Sequence, residues 1–434
     1  MNQTAASSNV SAHVVDWCIA RLKEVGPEKV CPDWVRDDPL ADLTVIIPTL
    51  NRPEFVLRQV CYWAPSAAQI MFVDGSSQPI PRRVRTAIDG LRRITYIHDE
   101  QPFGERLAVA ASGISTSYAV MLGDDEFHLP SGLRSLIRVL EEESDLVGCM
   151  GQVLSFTPLD NFRRCLFSRA YGDLQDFVVD QEQPVDRLVA AMNPYRMATC
   201  YAVLRSSVWR RSWGSVGSFT SGVAAEMQQS MAVHLLGPFR AVSVLQWLRS
   251  VENEITPISN AEAEQNRMIW FPEWWTDPLF IAERARFVDG LVTAVAEEIG
   301  MTAQDCADQI VLGAEVFVDG VGEEFEDLAS SAGTTDEALC GAIERARSLG
   351  RRIPDPLALT LRRIRGAVQA RLGLQGGNYY GTAADLQARL STEGVDPGPD
   401  LLDEIALVER LVRDFHQVRS PQGVGRAKSG VNST

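Results

Sequence analysis

The stretch YAVMLGDDEFHLP, residues 118–130, decides how the chain is read. A short apolar run breaks into Asp124, Asp125 and Glu126, and Leu129-Pro130 then opens a helix. An apolar run that ends in polar residues is the pattern of a strand buried on both faces, with its chemistry released at the carboxyl end. Three carboxylates packed so closely repel one another unless a cation or a cationic group sits among them. A metal site is therefore the first expectation for this loop.

Upstream, the same pattern repeats. LTVIIPT, residues 43–49, reads as a buried strand, and after the turn Asn51-Arg52-Pro53 the segment EFVLRQVCYWA has helical spacing through Phe55, Val56, Gln59, Val60 and Trp63. QIMFV, residues 69–73, is a second strand that ends in Asp74-Gly75-Ser76-Ser77; ITYIH, residues 94–98, is a third and leads to a helix over about 105–113. Successive β-α units of this kind predict a doubly wound sheet that binds ligands at its carboxyl edge. No GxGxxG is present, which gives a dinucleotide fold little support. Downstream, residues 146–156 and 239–249 read as further strands, 157–182 as a polar irregular segment with Tyr171-Gly172-Asp173, 193–209 as a strand and turn, and 218–237 as a helix carrying Glu226 and His234.

The flanks are helical. Val14, Val15, Cys18, Ile19 and Leu22 form the apolar stripe of a docking helix, followed by a proline-bounded acidic linker over 31–39. From about residue 258 the composition shifts to an aromatic hinge (Trp270, Phe271, Trp274, Trp275) and then to helical stripes at Phe287, Leu291, Val295 and Ile299, at Leu357 to Leu372, and over 401–415, with a capping box at 334–337. The expected organisation is a helical extension and linker (1–41), an α/β catalytic domain (42–257), a helical C-terminal domain (258–419) and a disordered tail (420–434).

Composition bounds the function. The chain has 434 residues, 45% of them hydrophobic, so it can bury a sizeable core, and its 41 basic against 57 acidic residues give a net charge of -16. That balance argues against general affinity for nucleic acid or anionic membranes. Eight cysteines are scattered through apolar stretches without a CxxC pair, as expected of small core residues in a reducing compartment. With no apolar leader at the polar N-terminus and no run of about 18 apolar residues, neither a signal peptide nor a membrane span is expected, and the cytoplasm is the expected location.

The motif order PTLNR, VDGSS, a glycine-led helix and GDDEF followed by LP resembles the nucleotide-sugar half of inverting GT-A glycosyltransferases, and more narrowly a prokaryotic branch with PTxNRP and DDDF motifs. The resemblance covers residues 42–255. It implies a GT-A fold, a nucleotide-diphospho-sugar donor, a hydroxyl acceptor on a glycan, lipid-linked or small molecule, and a divalent cation, Mn2+ or Mg2+. Asp125 falls on the family's metal-binding Asp with Glu126 as a second metal candidate, while Gly123 stands where the first Asp of the motif is expected and the resemblance passes that residue's ribose-contacting role to Asp124. Pro48, Thr49, Asn51, Arg52 and Asp74 occupy the positions that pack the nucleoside, and Arg106 is placed to replace an absent phosphate-contacting arginine. Glu226 matches the Glu of the family's Glu-Asp pair, whose Asp is Met227 here, and so becomes the candidate base; Arg249 is a weaker candidate for contacting phosphate or acceptor.

Blander readings compete at each position. They are an acidic N-cap cluster for residues 124–126, an Asp-Gly turn for Asp74, a surface ion pair to Glu100 or Glu105 for Arg106, a solvent-facing Glu226, and a core residue for His234, which the resemblance would otherwise allow as a late metal ligand. Arginines 362, 363, 365 and 371 read as a solvated helix face sooner than an acceptor site, and the helical domain is a possible homo-oligomer contact. Two other functions remain open: a nucleotidyltransferase, which would normally show a glycine-rich loop after the first strand, and a degenerate sugar-nucleotide-binding scaffold, suggested by Gly123 and Met227.

Overall fold

The computed structural model describes residues 10–29, 38–159, 164–252, 269–331 and 379–419. The linker centre, the capping box at 334–337, the stripe from Leu357 to Leu372 with its arginines, and the tail all lie outside the described residues.

Helix α1 (Ala12–Lys29) leads to a 3-10 turn at Pro39–Asp42 and then to β1 (Leu43–Thr49). β1 is followed by α2 (Pro53–Trp63), β2 (Gln69–Asp74), α3 (Arg82–Asp89), β3 (Ile94–His98), α4 (Phe103–Gly113) and β4 (Tyr118–Met121). These four strands are parallel and lie in the order β3-β2-β1-β4. Parallel strands need crossover helices, which cover both faces, and that is why these strands read as near-continuous apolar runs.

The chain continues through β5 (Phe127–His128), α5 (Pro130–Glu142), β6 (Gly148–Leu159), β7 (Arg164–Ala170), β8 (Val178–Val179), α6 (Pro184–Met192), β9 (Val203–Arg205), α7 (Ser206–Arg211), α8 (Gly222–Leu236) and β10 (Phe239–Ser250). β9 lies antiparallel between β4 and β6, and β10 runs parallel to β6 while its other edge takes the short β5 and β8 antiparallel. The expected α/β sheet is present, with a parallel half followed by a mixed half.

Every residue of α2 from Phe55 to Trp63 is buried. One side faces the sheet, and the other is covered by α1 through Val14, Val15 and Cys18 and by the last helix through Phe415, whose ring lies 5.2 Å from that of Phe55. The N-terminal helix therefore docks as its stripe predicted; burying one such valine is worth ~1.5–3 kcal/mol.

The described residues after 269 are mostly helical, as expected: α9 (Phe271–Thr276), α10 (Ile281–Val295), α11 (Ala303–Ser331), α12 (Ala383–Thr392) and α13 (Leu401–Arg419). One element departs from the helical expectation. β11 (Tyr379–Gly381) pairs antiparallel with β7, so the late chain adds a strand to the sheet edge. α9, α10 and α11 pack near α6 and α8, whereas α13 packs near α1, α2 and β7. The six described cysteines are buried. Among the described residues no helix is long and apolar enough to cross a membrane.

Candidate active site

The site begins where β1 and β4 part. Their pairing runs from Leu43↔Tyr118 to Ile46↔Met121 and closes with the Leu122 N–H on the Ile46 carbonyl, while β1 stays paired with β2 as far as Thr49↔Asp74. Pro48 lies beyond the last β4 pair, so its missing N–H breaks no ladder bond on that side. The strand order reverses here, and a doubly wound sheet opens its crevice at such a switch point.

The acidic loop fills the mouth of that crevice. Thr49 Oγ1 donates to Asp124 Oδ2 at 2.7 Å, and the Arg52 guanidinium bridges two acids, with Nη1 2.8 Å from Asp124 Oδ1 and Nη2 2.7 Å from Asp125 Oδ2. Arg52 also lies over the Phe55 ring at 4.3 Å. Asn51 makes the turn by adopting φ 55°, a left-handed conformation that Asn tolerates, and its N–H donates to Ser76 Oγ at 2.7 Å.

α2 holds the loop backbone from behind. Arg58 Nη2 donates to the Asp125 carbonyl at 2.8 Å, and Gln59 Nε2 donates to the carbonyls of Asp124 (3.1 Å) and Glu126 (2.6 Å). Arg58 is fully buried, and its charge is met by Glu252 at 2.8 Å, which pairs in turn with His416 of α13 at 2.7 Å. The residue before the helix is Leu129, with no side-chain cap bond, so the acids are not an N-cap cluster for α5.

The environment sorts the carboxylates. Burial raises Asp124 to about 6 even with Arg52 beside it. Burial, reinforced by Asp125, pushes Glu126 well above the ordinary range, although Arg249 partly offsets this. For Arg52 the order is reversed: burial disfavours its charge, but Asp124 and Asp125 outweigh burial and raise its pKa. Gly123 is explained by the same packing. A Cβ there would lie 2.9 Å from Glu126 Oε2, so the carboxylate missing from position 123 is a place that Glu126 itself covers.

Asp74 and Arg106 reach the same edge and both hydrogen-bond protein partners, while Arg106 Nε is buried without one. Asp74 Oδ1 accepts from the Ser76 N–H at 2.8 Å and from the Ser76 hydroxyl, and Oδ2 accepts from the Tyr96 hydroxyl at 2.5 Å. Arg106 lines the cavity described below and, among the described residues, makes no ion pair to Glu100 or Glu105, the blander sequence reading. Its Nη1 donates to the carbonyls of Thr49 and Val73, both at 3.0 Å, tying the ends of β1 and β2 together, and burial lowers its pKa. The guanidinium presses on Gly75, where a Cβ would come within 2.5 Å of it.

Glu226 sits on α8, half-buried, and accepts a hydrogen bond from the Tyr195 hydroxyl at 2.9 Å. Burial raises it to about 7, with the Tyr195 bond opposing the shift. Met227 beside it is fully buried, so of the two positions only 226 opens away from the core. Glu126 and Glu226 act on the same neighbours: after burial, both raise the pKa values of Cys200 and Tyr201. Tyr201 stacks on Trp247 at 4.2 Å and Tyr171 on the same ring at 5.8 Å, with Arg249 over Tyr171 at 5.6 Å. His234 is a buried core residue, lowered to about 3 by burial.

A cavity of 360 Å³ adjoins these elements. Leu50, Gly75, Glu100, Phe103 and Arg106 line one side, and residues 217–222 with Ala225 line the other. Sequence reading missed Arg58, Gln59, Glu252, His416 and Tyr195. The one available signal was polar residues at buried positions of an otherwise apolar helix, Arg58 and Gln59.

Among the described residues no cluster of three or more acids, histidines or cysteines is arranged to hold a metal ion. The donor set still suits a hard cation supplied with phosphate oxygens and water: the Asp125 carboxylate is 16% exposed, and Glu126 Oε2 is buried without a hydrogen-bond partner.

No protein-family model matches the chain, and no curated protein sequence matches it. Among solved structures it is similar to S. aureus TarS residues 1–349, with TM-score 0.37 and 10% identity over 66% of this chain and 91% of that one. The complex of the same fragment with UDP-GlcNAc gives 0.37 and 11% over 65% and 80%, and the complex with UDP gives 0.33 and 10% over 72% and 94%. A likeness of this size carries no weight in the functional argument.

Proposed function

We propose that the protein is a glycosyltransferase that moves a sugar from a nucleotide-diphospho-sugar to an acceptor hydroxyl, with inversion at the sugar carbon. The observation that carries this reading is the gathering of Thr49, Arg52, Asp124 and Asp125 at the β1/β4 switch point, with Glu226 raised to about 7. A general base works best with a pKa near the operating pH, and Glu226 has that property with its Tyr195 partner fixing one oxygen. In this mechanism Glu226 takes the acceptor hydroxyl proton as the oxygen attacks the sugar carbon, and the diphosphate leaves from the opposite face. The crevice takes the nucleotide, with the 360 Å³ cavity as its nucleoside end.

A divalent cation is part of the proposal. Asp125 and Glu126 would hold it, and when bound it would neutralise charge growing on the diphosphate. Arg52 contributes a cation of its own at the same edge, already paired to Asp124 and Asp125.

Calorimetric titration with UDP, GDP, ADP, CDP and dTDP, with and without Mn2+ or Mg2+, tests this reading on wild type and Asp125→Ala. Binding of one nucleotide class, weakened in the variant, supports it. Absence of binding by every nucleotide would overturn it in favour of a scaffold.

A further inference from the structure

The two walls of the cavity are built from different parts of the chain. The strand-end wall belongs to the sheet and is tied by Arg106 to the carbonyls of Thr49 and Val73. The opposite wall, residues 217–222, leads into α8 and is fastened largely to residues after 269. Glu283, in the first turn of α10, accepts the Thr220 N–H on Oε2 at 2.9 Å and the Thr220 hydroxyl on Oε1 at 2.6 Å. Trp274 Nε1 donates to the same Oε2 at 2.9 Å, and Ser221 Oγ donates to the Ile269 carbonyl at 2.5 Å.

Packing repeats the hydrogen-bond pattern. The Phe219 ring lies against Trp274 at 5.5 Å and Phe287 at 5.7 Å. Gln228 of α8 accepts the Gly217 N–H at 2.7 Å and donates to the Phe287 carbonyl at 2.8 Å, so one side chain fastens the wall, α8 and α10 together. On the sheet side Ser218 accepts from the Gly104 N–H at 3.3 Å and donates to Glu105 at 2.6 Å. Glu283 itself lines the cavity, and although burial works against its charge, the bonds from Thr220 and Trp274 hold its pKa below the ordinary range.

We infer that Glu283 is a positioning residue for donor binding: it fixes the 217–222 wall, so that the helical region completes a cavity whose other wall lies on the sheet. The inference rests on reading the cavity as the nucleotide end of the proposed site. It gives the C-terminal helices a function in the site beyond packing. A hydrogen-bonded carboxylate suits the task because it accepts three donors at once, one from the wall backbone, one from the wall side chain and one from α9.

The test uses the full chain with Glu283→Ala, Glu283→Gln and Thr220→Val, measuring thermal unfolding, calorimetric binding of the five nucleoside diphosphates and, with the matching donor sugar, KM against kcat. The expected result is a roughly tenfold or larger loss of nucleotide affinity in Glu283→Ala, carried in KM, in line with the cost of misplacing a binding wall. Glu283→Gln, which keeps an acceptor for the Thr220 N–H, regains part of the loss, and Thr220→Val loses less than the alanine variant. Unchanged affinity in Glu283→Ala overturns the inference while leaving the transferase reading intact. So does a loss that merely follows a collapse of the unfolding midpoint and is not rescued by Gln. A wild type that binds no nucleoside diphosphate overturns both.

Discussion

The acids of the 124–125 loop and the acid of α8 differ in their partners. Asp124 and Asp125 share the Arg52 guanidinium at 2.8 and 2.7 Å, whereas Glu226 is met by the neutral Tyr195 hydroxyl at 2.9 Å and is raised to about 7 by burial. The difference teaches a division of labour that spacing in the sequence does not reveal. A loop of acids compensated by a cation is suited to hold a charged diphosphate end, and an acid raised to about 7 is suited to move a proton.

The largest effect is expected from Glu226→Gln, which keeps the shape and removes the proposed base. Turnover should fall by ~10²–10⁴-fold with nucleotide affinity unchanged. In wild type, kcat/KM should rise with pH on a limb centred near 7, because the base must be deprotonated, and the variant should lack that limb. A variant that loses nucleotide affinity instead would break the division between the loop acids and Glu226.

Asp125→Asn should come next, with kcat/KM down ~10²-fold and the loss shared with nucleotide affinity, since a carboxylate that steadies the diphosphate end acts on both. Equal nucleotide affinity in wild type and variant would remove Asp125 from that role.

Stability against pH gives a smaller readout. Asp124 and Glu226 have folded pKa values raised to about 6 and about 7 from ordinary values of 3.8 and 4.5. The native state therefore binds protons more tightly than the unfolded chain, and these groups add stability as pH falls, from about 7 toward 4.5 for Glu226 and from about 6 toward 3.8 for Asp124. Buried neutral His128 and His234, lowered to about 4 and about 3, act in the opposite sense below pH 6.5, so the readout is the difference between wild type and Glu226→Gln, in which they cancel: wild type should gain thermal midpoint on the variant as pH falls from 7.5 to 5.5. A difference that stays flat over this window would contradict the raised pKa of Glu226.

The smallest effect is expected from Arg52→Met, which leaves two neighbouring acids without their shared cation. A loss of ~1–3 kcal/mol in stability at pH 7.5 is expected from denaturant titration, and it should shrink as the pH is lowered and Asp124 takes up its proton. A pH-independent loss would mean that Arg52 acts through its packing on Phe55 and not through the acids.

Much of the sheet was legible because its signals are local. Apolar runs ending in PT, VDG and GDDE marked β1, β2 and β4 with their carboxyl-edge residues, and the stripe at Val14, Val15 and Cys18 marked α1 as a docking helix. The surface ion pair expected as the blander reading of Arg106 is absent among the described residues, a difference the sequence could not show because helix spacing tells which face carries a residue, but not that the Thr49 and Val73 carbonyls lie opposite. The β11 strand escaped notice for a related reason: three residues are too few to carry a period, and the edge of β7 recruits them.

By itself the sequence determined the α/β class, the parallel order of β-α units, the acidic loop at a strand end and the helical character of the late chain, all written in periodicities a few residues long. Only the tertiary structure decided that Arg52 bridges Asp124 and Asp125, that Arg58 reaches His416 through Glu252, and that Glu283 fastens the cavity wall. The physical reason is distance along the chain. Arg58 and Glu252 are 194 positions apart and Thr220 and Glu283 63 apart, so their meeting is set by how buried faces pack, and no local pattern records it.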